Sequence, residues 1–146
     1  MRFIDSNIFV YHMADDPKYG DVATAIIERI EDGEHAATSS LGISQVCGYL
    51  KWRGRFNIIS TFLIFLRFIP NLIKVDTSFL DFVQAQAYHV EHGADWGMWV
   101  DLIIAAQMEN LRINEIYSND TDLTGFQGSK NIRIVQDNFM NKFGRL

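Results

Sequence analysis

Two short apolar runs constrain the architecture more than any other feature of the chain. Phe3-Ile4 stops at Asp5-Ser6-Asn7 and is followed at once by Ile8-Phe9-Val10-Tyr11. A buried strand that ends on a polar triplet and passes into a helix is the βα step of an α/β domain. Residues 113–117 repeat the device and stop at Ser118-Asn119-Asp120-Thr121-Asp122. Between these runs, Val22, Ile26, Ile27 and Ile30 share one helix face, closed by Gly33. The segment His35-Ala36-Ala37-Thr38 leads to Ser39 and Ser40, either of which can cap a helix carrying Leu41, Val46, Leu50 and Trp52. Phe56–Phe68 reads as a helix apolar nearly all round and stopped by Pro70. Residues 72–76 alternate and read as a short strand or an extended link. Thr77 or Ser78 caps the next helix, with Phe79, Phe82, Val83, Ala87 and Val90 expected on its buried side and Gly93 at its end. Residues 96–110 form another helix, and Ile132-Arg133-Ile134-Val135 is the last strand. The alternation predicts a three-layer α/β domain with a mainly parallel central sheet. No repeat or linker interrupts it, so residues 1–146 are expected to be one domain.

Charge and cysteine usage narrow the function classes. Eighteen acids against thirteen bases leave a net charge of −5. That balance excludes a simple basic-coated nucleic-acid binder. It admits an enzyme that acts on nucleic acid through bound metal, because the metal brings the positive charge. The one cysteine, Cys47, makes no intrachain disulfide, which points to a reducing compartment. An acid at position 5 comes too early for a signal peptide. The oiliest stretch, residues 58–69, falls short of the ~20 residues that span a bilayer. A cytoplasmic protein with no membrane association is the expectation.

In an open parallel sheet, ligands bind outside the carboxyl ends of the strands, where the strand order reverses. Asp5 follows the first strand and Asp120 follows the strand at 113–117, so both fall where that rule looks. Asp101 interrupts the apolar run Trp99-Val100-Asp101-Leu102-Ile103-Ile104. Helix-dipole stabilisation is below ~1 kcal/mol and does not offset burial of a carboxylate there. A divalent cation is one economical partner. Hard oxygen ligands favour Mg²⁺ or Mn²⁺ over zinc, and such a site suits phosphodiester hydrolysis. Taken singly, Asp5 and Asp120 are better explained as loop acids that cap helices.

These residues carry a family resemblance. Phe3-Ile4-Asp5-Ser6-Asn7-Ile8, Val100-Asp101-Leu102-Ile103-Ile104-Ala105-Ala106 and Tyr117-Ser118-Asn119-Asp120-Thr121-Asp122-Leu123 resemble, in order and spacing, three of the motifs of the PIN-domain ribonucleases. The likeness is strongest to the VapC-type toxins of toxin–antitoxin pairs, and it implies a PIN-like α/β/α fold and an RNA phosphodiesterase. Asp5, Asp101 and Asp120 would then be the catalytic, metal-holding acids, with Asp122 as an auxiliary metal-site acid. Ser6, Asn7 and Ser118 would supply supporting hydrogen bonds. The resemblance also implies an RNA substrate and an antitoxin protein as partners.

The chain departs from the family pattern at one place. Thr38-Ser39-Ser40-Leu41-Gly42-Ile43-Ser44-Gln45-Val46 resembles the family's second motif but carries Gln45 where that motif has Glu. One negative charge is lost, metal affinity should fall, and a catalytically weakened binding or assembly module becomes the alternative reading. Elsewhere, Lys51, Arg53 and Arg55 beside Trp52 suit either an RNA backbone contact or a solvated helix end. Trp96 and Trp99 suit base stacking or packing, and His89 and His92 suit a solvated helix end. The oily helix at Phe56–Phe68 calls for a cover, and a homodimer or an antitoxin would supply one.

Overall fold

A computed structural model describes residues 1–93, 95–119 and 133–134 of the chain. Five strands, β1 (Arg2–Ile4), β2 (Ala36–Ser39), β3 (Leu72–Val75), β4 (Glu115–Tyr117) and β5 (Arg133–Ile134), form one sheet in the order β3-β2-β1-β4-β5. Every pairing is parallel, with Phe3 opposite both Ala37 and Ile116, and Ile4 opposite Tyr117. The helices are α1 (Ser6–Met13), α2 (Gly20–Glu31), α3 (Ser40–Trp52), α4 (Phe56–Phe68), α5 (Phe79–His92) and α6 (Trp99–Asn110).

The two-residue period of the strands divides the core into layers. Ile4, Ala36, Leu72 and Tyr117 face one side, where Phe9 of α1, Ile27 and Ile30 of α2, Leu50 of α3 and Phe62 of α4 cover them. Their neighbours Phe3, Ala37 and Ile116 face the other side, against Ile104 and Met108 of α6. Both faces of the sheet are thereby covered, as an all-parallel sheet requires. The expected three-layer α/β/α architecture is the one observed. Residues 102 to 108 of α6 are all buried, because this helix lies between the sheet and α5. Its alanines, Ala105 and Ala106, let both neighbours approach closely.

The structure corrects the expected buried side of α5. Phe79, Val83 and Val90 are exposed, at 78%, 46% and 74%, while Asp81 and Ala85 are buried. A reciprocal capping box between Ser78 and Asp81, together with a hydrogen bond from Asn110 to the Asp81 carboxylate, fixes the rotation of the helix. Ala85 then meets Leu102 and Ala105. The capping geometry thus outweighs the apolar count along the helix. At α6, the expected single helix from residue 96 begins as a 3₁₀ turn at Trp96–Met98, capped by the Asp95 side chain. No helix among the described residues is long and apolar enough to cross a membrane.

Candidate active site

The chain lays β1, β2 and β3 successively to one side, then returns to place β4 and β5 on the other side of β1. The strand order therefore reverses between β1 and β4, and the crevice of an open α/β sheet lies outside their carboxyl ends. Asp5 is the residue that follows β1, and Ser118 is the residue that follows β4.

Asp5 is a helix cap as well as an acid. Its backbone is extended, and its Oδ1 accepts from the Ser6 backbone N–H at 2.7 Å, closing the N-terminus of α1. Its own N–H donates to the Tyr117 carbonyl at 3.0 Å, which ties the two strand ends together. On the other carboxylate oxygen, the Ser118 hydroxyl donates to Oδ2 at 2.6 Å. The same hydroxyl accepts from Asn7 Nδ2 at 3.3 Å. A hydroxyl has one proton to give, so the amide donation from Asn7 and the short bond to Asp5 fix its direction. Asn7, Ser118 and Asp5 form a one-way relay aimed at a buried carboxylate, 7% exposed. Thr38, at the end of β2, adds a hydrogen bond to the Ile4 carbonyl at 3.2 Å and locks the backbone just before Asp5.

Two further candidate residues, Gln45 and Asp101, lie near the N-termini of other helices. Gln45 lies in the second turn of α3, whose N-terminus Ser39 caps by accepting from Gly42 N–H at 3.1 Å. Asp101 lies in the first turn of α6 and is half-buried. Leu41 of the first turn of α3 packs against the cluster formed by Ala85 of α5 and Leu102, Ile103 and Ala105 of α6. Hydrogen bonds join Asp5, Ser6, Asn7 and Ser118 directly. Asp120 and Asp122 lie outside the described residues. Among the described residues, no three acidic, histidine or cysteine side chains make a metal cluster.

The donor chemistry fits a hard divalent cation. Asn7 Oδ1 and Gln45 Oε1 are buried acceptor oxygens that no hydrogen bond satisfies among the described residues. A buried carbonyl oxygen left without a partner costs ~1–3 kcal/mol, and a cation removes that cost. Carboxamide and carboxylate oxygens are the type of donor that Mg²⁺ and Mn²⁺ prefer. Gln107 Oε1 is a third such atom, on a residue whose Nε2 donates to the Asp76 carbonyl.

The residues singled out beside this set fall as follows. Cys47 is half-buried against the main core, and burial pushes its thiol pKa up, so it is an inert packing residue. The His89 ring stacks on Trp96 at 3.8 Å. His12 bonds Thr24 Oγ1 at 2.9 Å, and burial lowers its pKa. Asn119, which sequence reasoning passed over, donates to the Tyr11 hydroxyl at 3.1 Å. Its position directly after Ser118 was the available signal.

The profile of the PIN domain matches residues 2–127. The chain belongs to the PIN domain family. Among solved structures, VapC20 of Mycobacterium tuberculosis, a toxin that cleaves the sarcin–ricin loop, is similar at a TM-score of 0.70. The two share 16% identity over 86% of this chain and 94% of that one. VapBC2 of Rickettsia felis, bound to a DNA fragment from its promoter, is similar at 0.66, with 16% identity over 91% and 96%. A toxin–antitoxin complex from Klebsiella pneumoniae is similar at 0.61, with 17% identity over 88% and 94%. At these identities the likeness is one of fold. No curated protein matches the chain in sequence.

Proposed function

We propose that this PIN domain is a Mg²⁺- or Mn²⁺-dependent endoribonuclease, the toxin of a toxin–antitoxin pair, with an antitoxin protein as its restraining partner. The observation that carries the reading is the relay from Asn7 through Ser118 to Asp5 at the reversal of strand order, with Asn7 Oδ1 buried and without a hydrogen bond among the described residues. Asp5, Asp101 and Asp120 are the proposed catalytic acids, and Asp122 is an auxiliary one. A divalent ion held there supplies a water of lowered pKa and a counter-charge for the leaving oxygen. The chain's own contribution is positioning. Ser6 and Ser118 hold the two Asp5 oxygens in place, and Asn7 orients the Ser118 hydroxyl. Such supporting partners are worth about 10–100-fold in metal affinity or activity.

Gln45 supports a second reading, a binding module with a weakened centre. Its carboxamide contributes one neutral oxygen where the family pattern has a carboxylate. Cleavage of single-stranded RNA by the purified chain, with Mn²⁺ or Mg²⁺ and with a chelator, separates the two. Metal-dependent cutting that the chelator abolishes supports the nuclease. Cutting that appears only in Gln45→Glu supports the weakened module, and silence in both variants overturns the nuclease reading.

A further inference from the structure

We propose that Tyr19 and Lys18 form a nucleotide subsite beside the acidic centre, where the Tyr19 ring stacks an unpaired base of single-stranded RNA and the Lys18 ammonium holds its phosphate. The proposal rests on the ribonuclease reading and names the part of that site which grips the strand.

The placement follows from one continuous set of contacts. Ser118 donates to Asp5, and the next residue, Asn119, donates to the Tyr11 hydroxyl. The Tyr11 ring packs on Tyr19 with centroids 4.9 Å apart and the planes tilted by 35°. Lys18 Nζ sits 5.0 Å from the centroid of the Tyr19 ring. The acid centre and the outer tyrosine are therefore separated only by Asn119 and Tyr11. The loop that presents the pair is fixed rather than loose. Asp16 Oδ1 accepts from the backbone N–H of both Lys18, at 2.9 Å, and Tyr19, at 2.8 Å, while Gly20 N–H donates to the Asp16 carbonyl. Lys18 and Asn119 together lower the Tyr19 pKa, and the Tyr19 hydroxyl in turn raises that of Lys18. The hydroxyl end of Tyr19 is thus engaged, and the exposed Lys18 ammonium is open to a phosphate from solvent.

The other side of the same loop continues the path. Ala14, Asp16 and Pro17 line a groove of about 160 Å³ with Tyr49, Arg53 and Arg55. In a chain of net charge −5, Arg53 and Arg55 bring two cations to the groove that this loop lines. Aromatic platforms combined with a basic groove are the means by which proteins hold single strands without reading sequence. The alternative, that Tyr19 only closes the loop, predicts no dependence on the nucleobase.

The test is steady-state cleavage of single-stranded RNA by the full chain, beside Tyr19→Phe, Tyr19→Ala and Lys18→Ala, with thermal melts to verify folding. A stacked base is worth roughly 5–100-fold in affinity. Tyr19→Ala is expected to raise KM by about tenfold with kcat within about twofold. Tyr19→Phe keeps the native KM, since the ring rather than the hydroxyl does the stacking. Lys18→Ala reduces the slope of log affinity against log salt by about 0.7, one phosphate contact on a single strand. Native protein given RNA with an abasic residue at each position in turn shows the same rise in KM at one position, a readout that needs no variant. Unchanged KM in Tyr19→Ala, or indifference to every abasic substitution, overturns the subsite while leaving the nuclease intact. If native protein does not cut RNA at all, the ribonuclease reading falls first and the subsite with it.

Discussion

The two ends of β1 solve the same electrostatic problem in different ways. Arg2 opens the strand and Asp5 follows it, roughly 10 Å further on. At the Arg2 end, the chain supplies its own counter-charges. The guanidinium reaches Glu115 at 2.7 Å, Glu34 at 2.8 Å and the Tyr117 hydroxyl at 2.8 Å, and Arg29 adds a second cation to Glu34 at 2.9 Å. Burial pulls the Arg2 pKa down, but Glu115 and Glu34 outweigh it and raise it overall. The same residue, Tyr117, serves both ends: its carbonyl accepts from Asp5 N–H, and its hydroxyl donates to Glu34. At the Asp5 end, a backbone N–H and a serine hydroxyl donate to the carboxylate, and the buried Asn7 Oδ1 has no hydrogen bond among the described residues. The first arrangement is closed and balanced and serves stability. The second is ordered around an acceptor oxygen that the described residues leave unsatisfied, the condition expected where a ligand completes a site.

Substitutions that affect one end and spare the other sharpen this contrast. The largest effect is expected from Asp5→Asn, which keeps a side chain able to cap α1. RNA cleavage should fall by at least about 100-fold, beyond the loss typical of outer partners, with the melting temperature shifted by no more than a few degrees. Arg2→Met should do the reverse. It leaves Glu34 and Glu115 half-buried beside Tyr117 and should cost about 2 kcal/mol in urea unfolding, with native cleavage kinetics in the folded protein. That figure is below the ~3–5 kcal/mol of a fully buried pair because Arg2 retains 25% of its side-chain exposure. Gln45→Glu should tighten Mn²⁺ about five- to tenfold in calorimetry, a gain of one coordinating charge, and should lower metal-free stability by about 1 kcal/mol.

The smallest effect concerns pH. Burial pushes the Glu34 carboxyl up, but hydrogen bonds from Tyr117 and Arg2 outweigh it and hold its pKa below the ordinary 4.5. Tyr117 is held up to about 12 by burial and by Glu34. A carboxyl depressed in the folded state stabilises above its unfolded value and loses that contribution as pH falls through the folded one. A phenol raised in the folded state stabilises below about 10 and loses that as pH rises toward 12. The unfolding free energy of the native chain should therefore decline below pH 4.5 and above pH 10. Glu34→Gln should flatten the acid arm, and urea titrations across pH check it.

What the sequence disclosed follows the same division. The placement of Asp5 and Ser118 at the carboxyl edge of the sheet was legible because strands that stop on polar residues mark that edge. The relay through Asn7 was legible only as a set of supporting residues, since its direction depends on one hydroxyl's geometry. The Arg2 network was invisible, because its members lie 32 and 113 positions apart and no local pattern joins them. The face of α5 was misread for a related reason. Phe79, Val83 and Val90 follow a helical period, yet the capping box at Ser78 and the bond from Asn110 to Asp81 set the rotation. At α4, the expected oily surface is present: Phe56, Ile64 and Phe68 are exposed at 62%, 59% and 73% while Phe62 and Leu66 are buried.

Calorimetric titration of Mn²⁺ into the metal-free chain, repeated with Asp5→Asn and Arg2→Met, tests the central claim most directly. The account predicts saturable binding in the native protein, its loss in Asp5→Asn, and native affinity in Arg2→Met. Equal binding by the native protein and Asp5→Asn, or no binding by the native protein, would contradict it.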